Sequence, residues 1–138
     1  RFDSVKNGLA EIDDNSIVLI HDGVRPLVSE RLIDRLIKSA EKEIGIVPVL
    51  PCKNSIRKIN GNSSKSIPRH DLYQVQTPQC FFSKDIKESY SQGFSTVFTD
   101  DASVFESAGK KIKTIEGEIQ NIKITNPKDL EIAEIFMR

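Results

Sequence analysis

The stretch Ser16–Pro26, SIVLIHDGVRP, decides how the rest of the chain is read. Ile17 to His21 is a short apolar run bounded by turn residues, so it reads as a buried strand. The run ends by placing Asp22, Gly23 and Arg25 in a turn closed by Pro26. Working outward, Ser29 is placed to cap a helix whose apolar positions Leu32, Ile33, Leu36, Ile37 and Ala40 recur at helical spacing. Residues 45–50, GIVPVL, form a second apolar strand, expected beside the first. Strand, helix and strand in that order predict an α/β fold with a largely parallel sheet. In such sheets ligands bind just past the carboxyl ends of the strands, where Asp22 and Arg25 fall.

Upstream, residues 4–13, SVKNGLAEID, predict a short helix with Val5, Leu9 and Ile12 on one face. Downstream, residues 51–73 are turn-rich and polar, with Asn60-Gly61 as the turn signal. They predict a β-hairpin arm carrying Lys53, Arg57, Lys58, Lys65 and Arg69 against the single acid Asp71. A solvated surface hairpin with dispensable charges is the plainer reading of the same pattern. YQVQTPQCFF reads as a strand ending at a Thr77-Pro78 turn, and Ser83 starts a helix to about residue 92. TDDASVFESAG predicts a helix with Thr99 as its cap, Asp100 and Asp101 in its first turn and Gly109 as its stop. KKIKTIEG is an edge-type strand, NIKI a short strand, and Asn126-Pro127 opens a last helix with Asp129 in its first turn. No repeat or linker divides the chain, so residues 1–138 form a single domain.

The bulk composition excludes more than it selects. With 20 basic and 20 acidic residues, net charge points to neither a nucleic acid nor a membrane surface. No apolar run approaches the ~18 residues of a membrane span. The charged fraction of 29% is that of an ordinary globular domain. Cys52 and Cys80 lie too far apart for a zinc motif and suit two reduced thiols in a cytoplasmic protein.

Two places can carry chemistry. Asp22 with Arg25 is either an ion pair closing a surface turn or a ligand site at a strand end, where Gly23 would allow close backbone approach. His21 and Asp22 are strand neighbours pointing to opposite faces, so they are not a dyad, and His21 is expected to be buried and hydrogen-bonded. Lys123, between Ile122 and Ile124, is either a solvated edge-strand lysine or a cation set to hold a phosphate.

In combination, RFDSVKNGL, VLIHDGVRP, VQTPQCF, TDDASVFE and NIKITNPKDLEIAE, in this order and at these spacings, resemble the 2-C-methyl-D-erythritol 4-phosphate cytidylyltransferase family over the whole chain. The resemblance implies a Rossmann-like nucleotidyltransferase fold with helices on both sheet faces. It also implies a homodimer in which the arm at about 51–73 embraces the partner. It implies CTP and a polyol phosphate as substrates and Mg²⁺ as the metal. Residue by residue, Ser4 matches a serine that helps hold the cytosine. Asp22 and Gly23 match positions contacting the ribose and the methylerythritol phosphate, Gly23 standing where alanine is common. Arg25, Thr77 and Thr99 match groups around the sugar phosphate. Lys123 matches the lysine gripping phosphates at the reaction centre. In the arm, Arg69 matches an arginine reaching the other subunit's substrate, and Ser55 stands where a threonine is frequent. Lys123, Asp22 and Arg25 are thus the candidate catalytic residues, with Asp22 also the candidate metal ligand.

One departure accompanies the resemblance. The family's opening segment, a glycine-rich loop after the first strand with an arginine and a lysine for the triphosphate, does not occur in this sequence, which starts at Arg1. The expectation is an N-terminally truncated domain, inactive by itself and with one side of its sheet uncovered. Two other readings stay open: a ribitol 5-phosphate cytidylyltransferase, which shares fold and nucleotide, and a non-catalytic dimerisation module. Alanine at Lys123 or Arg25 is expected to cost turnover and little stability.

Overall fold

In the computed structural model, which describes residues 1–138, the opening stretch is strand β1, Ile17–Ile20, which is half-buried and exposed at Ile17 rather than buried, because it is the outermost strand on its side of the sheet. It leads into helix α2, Glu30–Lys38, which follows the short N-terminal helix α1, Phe2–Ala10. Ser29 caps α2 as expected, its side chain accepting from the backbone N–H of Leu32. Strand β2 then runs Ile44–Pro51.

β1 and β2 are not neighbours. Between them lies a strand that the sequence pattern does not predict, β6, Gln79–Phe82, antiparallel to both. Its register pairs Ile17 with Phe82 and Ile20 with Gln79 on one side, and Cys80 with Ile46 on the other. Strand β5, Tyr73–Val75, continues along the same side of β2, and β7, Lys111–Glu116, runs parallel along its opposite side as an edge strand. The sheet is therefore mixed rather than mostly parallel. β1, β2 and β7 share one direction, and β5 and β6 oppose it. Pro78 interrupts the segment because it has no N–H for a ladder bond. The Thr77–Pro78 peptide is cis, and four residues beyond it suffice for a central strand.

Alternation along β6 builds the two layers. Cys80 points to one face, where Leu32 and Leu36 of α2 cover it with Ile46. Phe81 points to the other, under α1, α3 (Ser83–Tyr90) and α4 (Asp101–Ser107), which contribute Leu9, Ile86, Tyr90, Val104 and Phe105. Helices on both faces are thus as expected. Gly45 is required here: a Cβ at that position would sit 2.5 Å from the Phe81 ring. Burial also pushes the Cys80 thiol up to about 11.

The arm is a two-stranded hairpin, β3 Ile56–Asn60 and β4 Ser63–Ile67, paired only with itself and turning at Gly61, whose φ is +57°. Helix α4 is capped by Asp100, not Thr99: the Asp100 carboxylate accepts from the N–H of Ser103 in a reciprocal capping box. NIKI is not a strand; residues 121–125 are irregular. Helix α5, Pro127–Phe136, has the expected Asn126 cap. No helix is long and apolar enough to cross a membrane.

This topology sets one rim of the sheet. The carboxyl ends of β1, β2 and β7, the start of β6 and the first turn of α4 all meet there.

Candidate active site

The rim is organised around the turn after β1. The N–H of Arg25 donates to the carbonyl of Asp22 at 3.0 Å, closing the turn. His21 braces it: Nε2 lies 2.9 Å from the Arg25 carbonyl and Nδ1 lies 2.9 Å from the hydroxyl of Thr77. A carbonyl only accepts, so Nε2 donates to it, while Nδ1 shares a hydrogen bond with the Thr77 hydroxyl. The same Thr77 oxygen accepts from the N–H of Asp22 at 2.9 Å. Both ring nitrogens of His21 are therefore used in holding the turn; the histidine is hydrogen-bonded as expected but half-buried rather than buried, because it stands at the rim where the strand ends.

The Asp22 carboxylate collects cations. Oδ2 lies 3.3 Å from Lys123 Nζ and 3.3 Å from Arg25 Nε, and Oδ1 lies 3.7 Å from Arg1 Nε. Burial works to raise its pKa, but Lys123, Arg25 and Arg1 outweigh burial and hold it below the ordinary carboxylate range. Arg25 also donates from Nη1 to the carbonyl of Asn121 at 2.8 Å, which ties the turn to the segment carrying Lys123. Arg25 is 11% exposed and Lys123 48%, so the arginine is a built-in part and the lysine is free to meet a ligand. Arg1 is gripped from behind by Asp101, which is fully buried and accepts from two guanidinium nitrogens at 3.1 and 2.5 Å. Tyr90 donates to the same carboxylate at 2.6 Å; burial and Asp101 together raise the phenol's pKa.

Three of the sequence-predicted residues, Asp22, Arg25 and Lys123, thus come together at the end of β1. Of the others, Thr77 and Gly23 lie at the same turn and the rest fall elsewhere. Thr77 is buried and acts as a strut under Asp22. Thr99 opens on a separate hollow of about 120 Å³ among Phe2, Phe94 and Phe98; Arg1 lines that hollow too and connects it to the cluster. Ser4 is exposed on α1. Ser55 and Arg69 are exposed in the arm, where the Arg69 guanidinium bonds to the Lys53 carbonyl rather than to the cluster. A Cβ at Gly23 would meet nothing within 4 Å, so the protein itself does not require glycine there. Beside the cluster runs an open groove of about 1080 Å³, bordered by Arg25, Arg31, Lys53, Glu118 and Lys123.

The donor set does not make a metal site within this chain. No three His, Cys, Asp or Glu side chains converge, and both oxygens of Asp22 already face cations. Arg1 and Asp101 escaped the sequence reading because a first-turn aspartate has a sufficient explanation in the helix dipole. Gln76 and Asn121, both buried at the rim, carried no signal at all.

A profile of the 2-C-methyl-D-erythritol 4-phosphate cytidylyltransferases (IspD) matches residues 1–138. The chain belongs to that family. It is 42% identical over 137 residues to the 2-C-methyl-D-erythritol 4-phosphate cytidylyltransferase of Phocaeicola vulgatus, covering 99% of this chain and 63% of that protein. It is 47% identical over 140 residues to that of Azobacteroides pseudotrichonymphae, covering 99% and 62%. The crystal structure of the Thermus thermophilus cytidylyltransferase superposes with a TM-score of 0.86 at 32% identity, over 99% of this chain and 69% of that one. The chain therefore has the family's nucleotidyltransferase fold and spans somewhat less than two thirds of the curated relatives it matches.

Proposed function

We propose that the complete protein transfers a cytidylyl group from CTP to 2-C-methyl-D-erythritol 4-phosphate. An oxygen of the acceptor's phosphate bonds to the α-phosphorus of CTP, the bond from that phosphorus to the β-phosphate bridging oxygen breaks, and pyrophosphate leaves. The nucleophile needs no general base, since a phosphate monoester with a second pKa of about 6 is mostly dianionic at neutral pH. The obstacle is repulsion: like charges 4 Å apart cost about 4 kcal/mol at an effective dielectric of 20, close to a thousandfold in rate. Cations at the rim answer it. The observation carrying this reading is that Lys123 and Arg25 flank a single carboxylate at the end of β1, in a chain whose family acts on two phosphorylated substrates.

In this reading Lys123 moves from Asp22 to the incoming phosphates, Arg25 keeps the turn shaped and positive, and Asp22 accepts from substrate hydroxyls. Mg²⁺ would arrive on the nucleotide's phosphates, since this chain offers no ligand set of its own. Ser4, Gly23 and Thr99 border the substrates, and Thr77 serves them through Asp22, which it holds from beneath. The protein works as a cytoplasmic homodimer, with the arm delivering Ser55 and Arg69 to the partner's substrate. The arm's self-contained pairing and the exposure of Ile59, at 73%, support that role. Incubating the complete protein with CTP and each acceptor, and measuring pyrophosphate release, tests the proposal. Turnover of ribitol 5-phosphate alone, or of neither acceptor, would overturn it.

A further inference from the structure

Lys123 sits in a segment with no regular structure, so no strand ladder fixes where it stands. A lysine is a point charge on a flexible stem, and the protein controls only where that stem is rooted. Among the groups that hold the root, one buried side chain bonds to it at three points. Gln76, 5% exposed, donates from Nε2 to the carbonyls of Glu118 and Asn121 at 2.9 and 3.2 Å, while its Oε1 accepts from the N–H of Glu118 at 3.0 Å. Its own backbone N–H is anchored to the Pro48 carbonyl of β2 at 2.8 Å.

The segment is shaped to receive this amide. A Cβ at Gly117 would lie 2.4 Å from Gln76 Oε1 and 3.2 Å from the Val49 carbonyl, so only glycine permits the approach. Asn121, fully buried, donates from Nδ2 to the Thr77 carbonyl at 2.8 Å and presents its own carbonyl to both Gln76 and Arg25. Just past the lysine, the N–H of Ile124 donates to the Val24 carbonyl at 2.8 Å. Lys123 is thus suspended between two tie points, and at the first Gln76 bonds to both Glu118 and Asn121, alongside Arg25 and the Asn121 side chain.

We propose that Gln76 is a positioning residue for Lys123: its amide, received by Gly117, clamps residues 117–121 so that the ammonium stands at Asp22 before substrate arrives. Electrostatic catalysis depends on charges already placed where the transition state needs them, and a displacement of about 1 Å can cost about 100-fold in rate. The inference rests on the reading of Lys123 as the phosphate-gripping cation.

The test is a double-mutant cycle in the complete protein, with kcat, KM for the acceptor and the unfolding midpoint measured for Gln76→Leu, Lys123→Ala and the pair. Gln76→Leu keeps bulk and removes the clamp; it should lower kcat by about 10-fold to 100-fold. Lys123→Ala should lower kcat by about 100-fold to 1000-fold. If Gln76 acts through Lys123, the double variant matches Lys123→Ala within about twofold, whereas independent effects would multiply. Multiplying losses, or normal kcat in Gln76→Leu, overturn the proposal and leave the role of Lys123 standing. Near-normal kcat in Lys123→Ala overturns both. Should Gln76→Leu fail to fold, Gly117→Ala displaces the same amide from the other side and is read in the same cycle.

Discussion

Replacing Asp22 by asparagine probes the electrostatics of the rim directly. The carboxylate lies 3.3 Å from Lys123 and Arg25 and 3.7 Å from Arg1. Each pair attracts by about 5 kcal/mol in gross Coulomb terms at an effective dielectric of 20. Water cancels most of that for Lys123 and Arg1, whose side chains are 48% and 40% exposed. What remains is about 0.5 kcal/mol for each, the worth of a surface pair. The bond from Arg25 is better shielded, and a hydrogen bond between charged groups contributes about 1.5–3 kcal/mol, part of which an asparagine oxygen retains. The variant should therefore lose about 2 kcal/mol near neutral pH, equivalent to about 4–8 °C in unfolding midpoint for a domain of 150–250 residues. The pH dependence gives the sharper signature. Because the folded pKa of Asp22 lies below its ordinary 3.8, its stabilising contribution is complete above that value. The contribution drains away as pH falls through the folded pKa. Urea unfolding of the complete protein and its variant, followed from neutral to acid pH, should show a gap that closes only at the acid end. Inorganic phosphate should meanwhile bind about fivefold tighter to the variant, a difference of about 1 kcal/mol, since three cations have lost their counter-charge. A gap absent at neutral pH, or undiminished in acid, would refute this account of the cluster.

Other substitutions separate the parts. Lys123→Ala should change stability by less than about 1 kcal/mol. Arg25→Ala should cost about 2 kcal/mol, because it strips donors from Asp22 and the Asn121 carbonyl; the sequence reading expects little loss there, and calorimetry of both variants checks the contrast. Gly23→Ala, with open space at the Cβ, should leave unfolding within about 0.5 kcal/mol of the parent. Asp100→Ala should lose about 1 kcal/mol for the cap and about 1 kcal/mol more for the Gln79 amide it abandons, while Thr99→Val stays within about 0.5 kcal/mol by chemical denaturation.

Much of this molecule was legible as local pattern. The β1–α2–β2 unit, the Ser29 and Asn126 caps, the Asn60-Gly61 hairpin and the strand-end turn of Asp22 and Arg25 all depend on residues a few positions apart. The misreadings share one cause. β6 is short and begins with a glutamine, and Gln79 is acceptable inside only because Asp100 and the N–H of Ala102 satisfy its amide from another element. NIKI has the alternation of a strand but no partner strand to pair with.

Residue order was enough to say which side chains could turn, cap and carry charge, because those properties belong to single residues and their near neighbours. Long-range packing was needed to learn that β6 divides β1 from β2, that Arg1 and Asp101 stand behind Asp22, and that Gln76 roots Lys123. Those facts depend on contacts between residues tens of positions apart. Whether a buried amide or carboxylate is tolerable is settled by the partner that folding brings to it, and no local pattern records that partner.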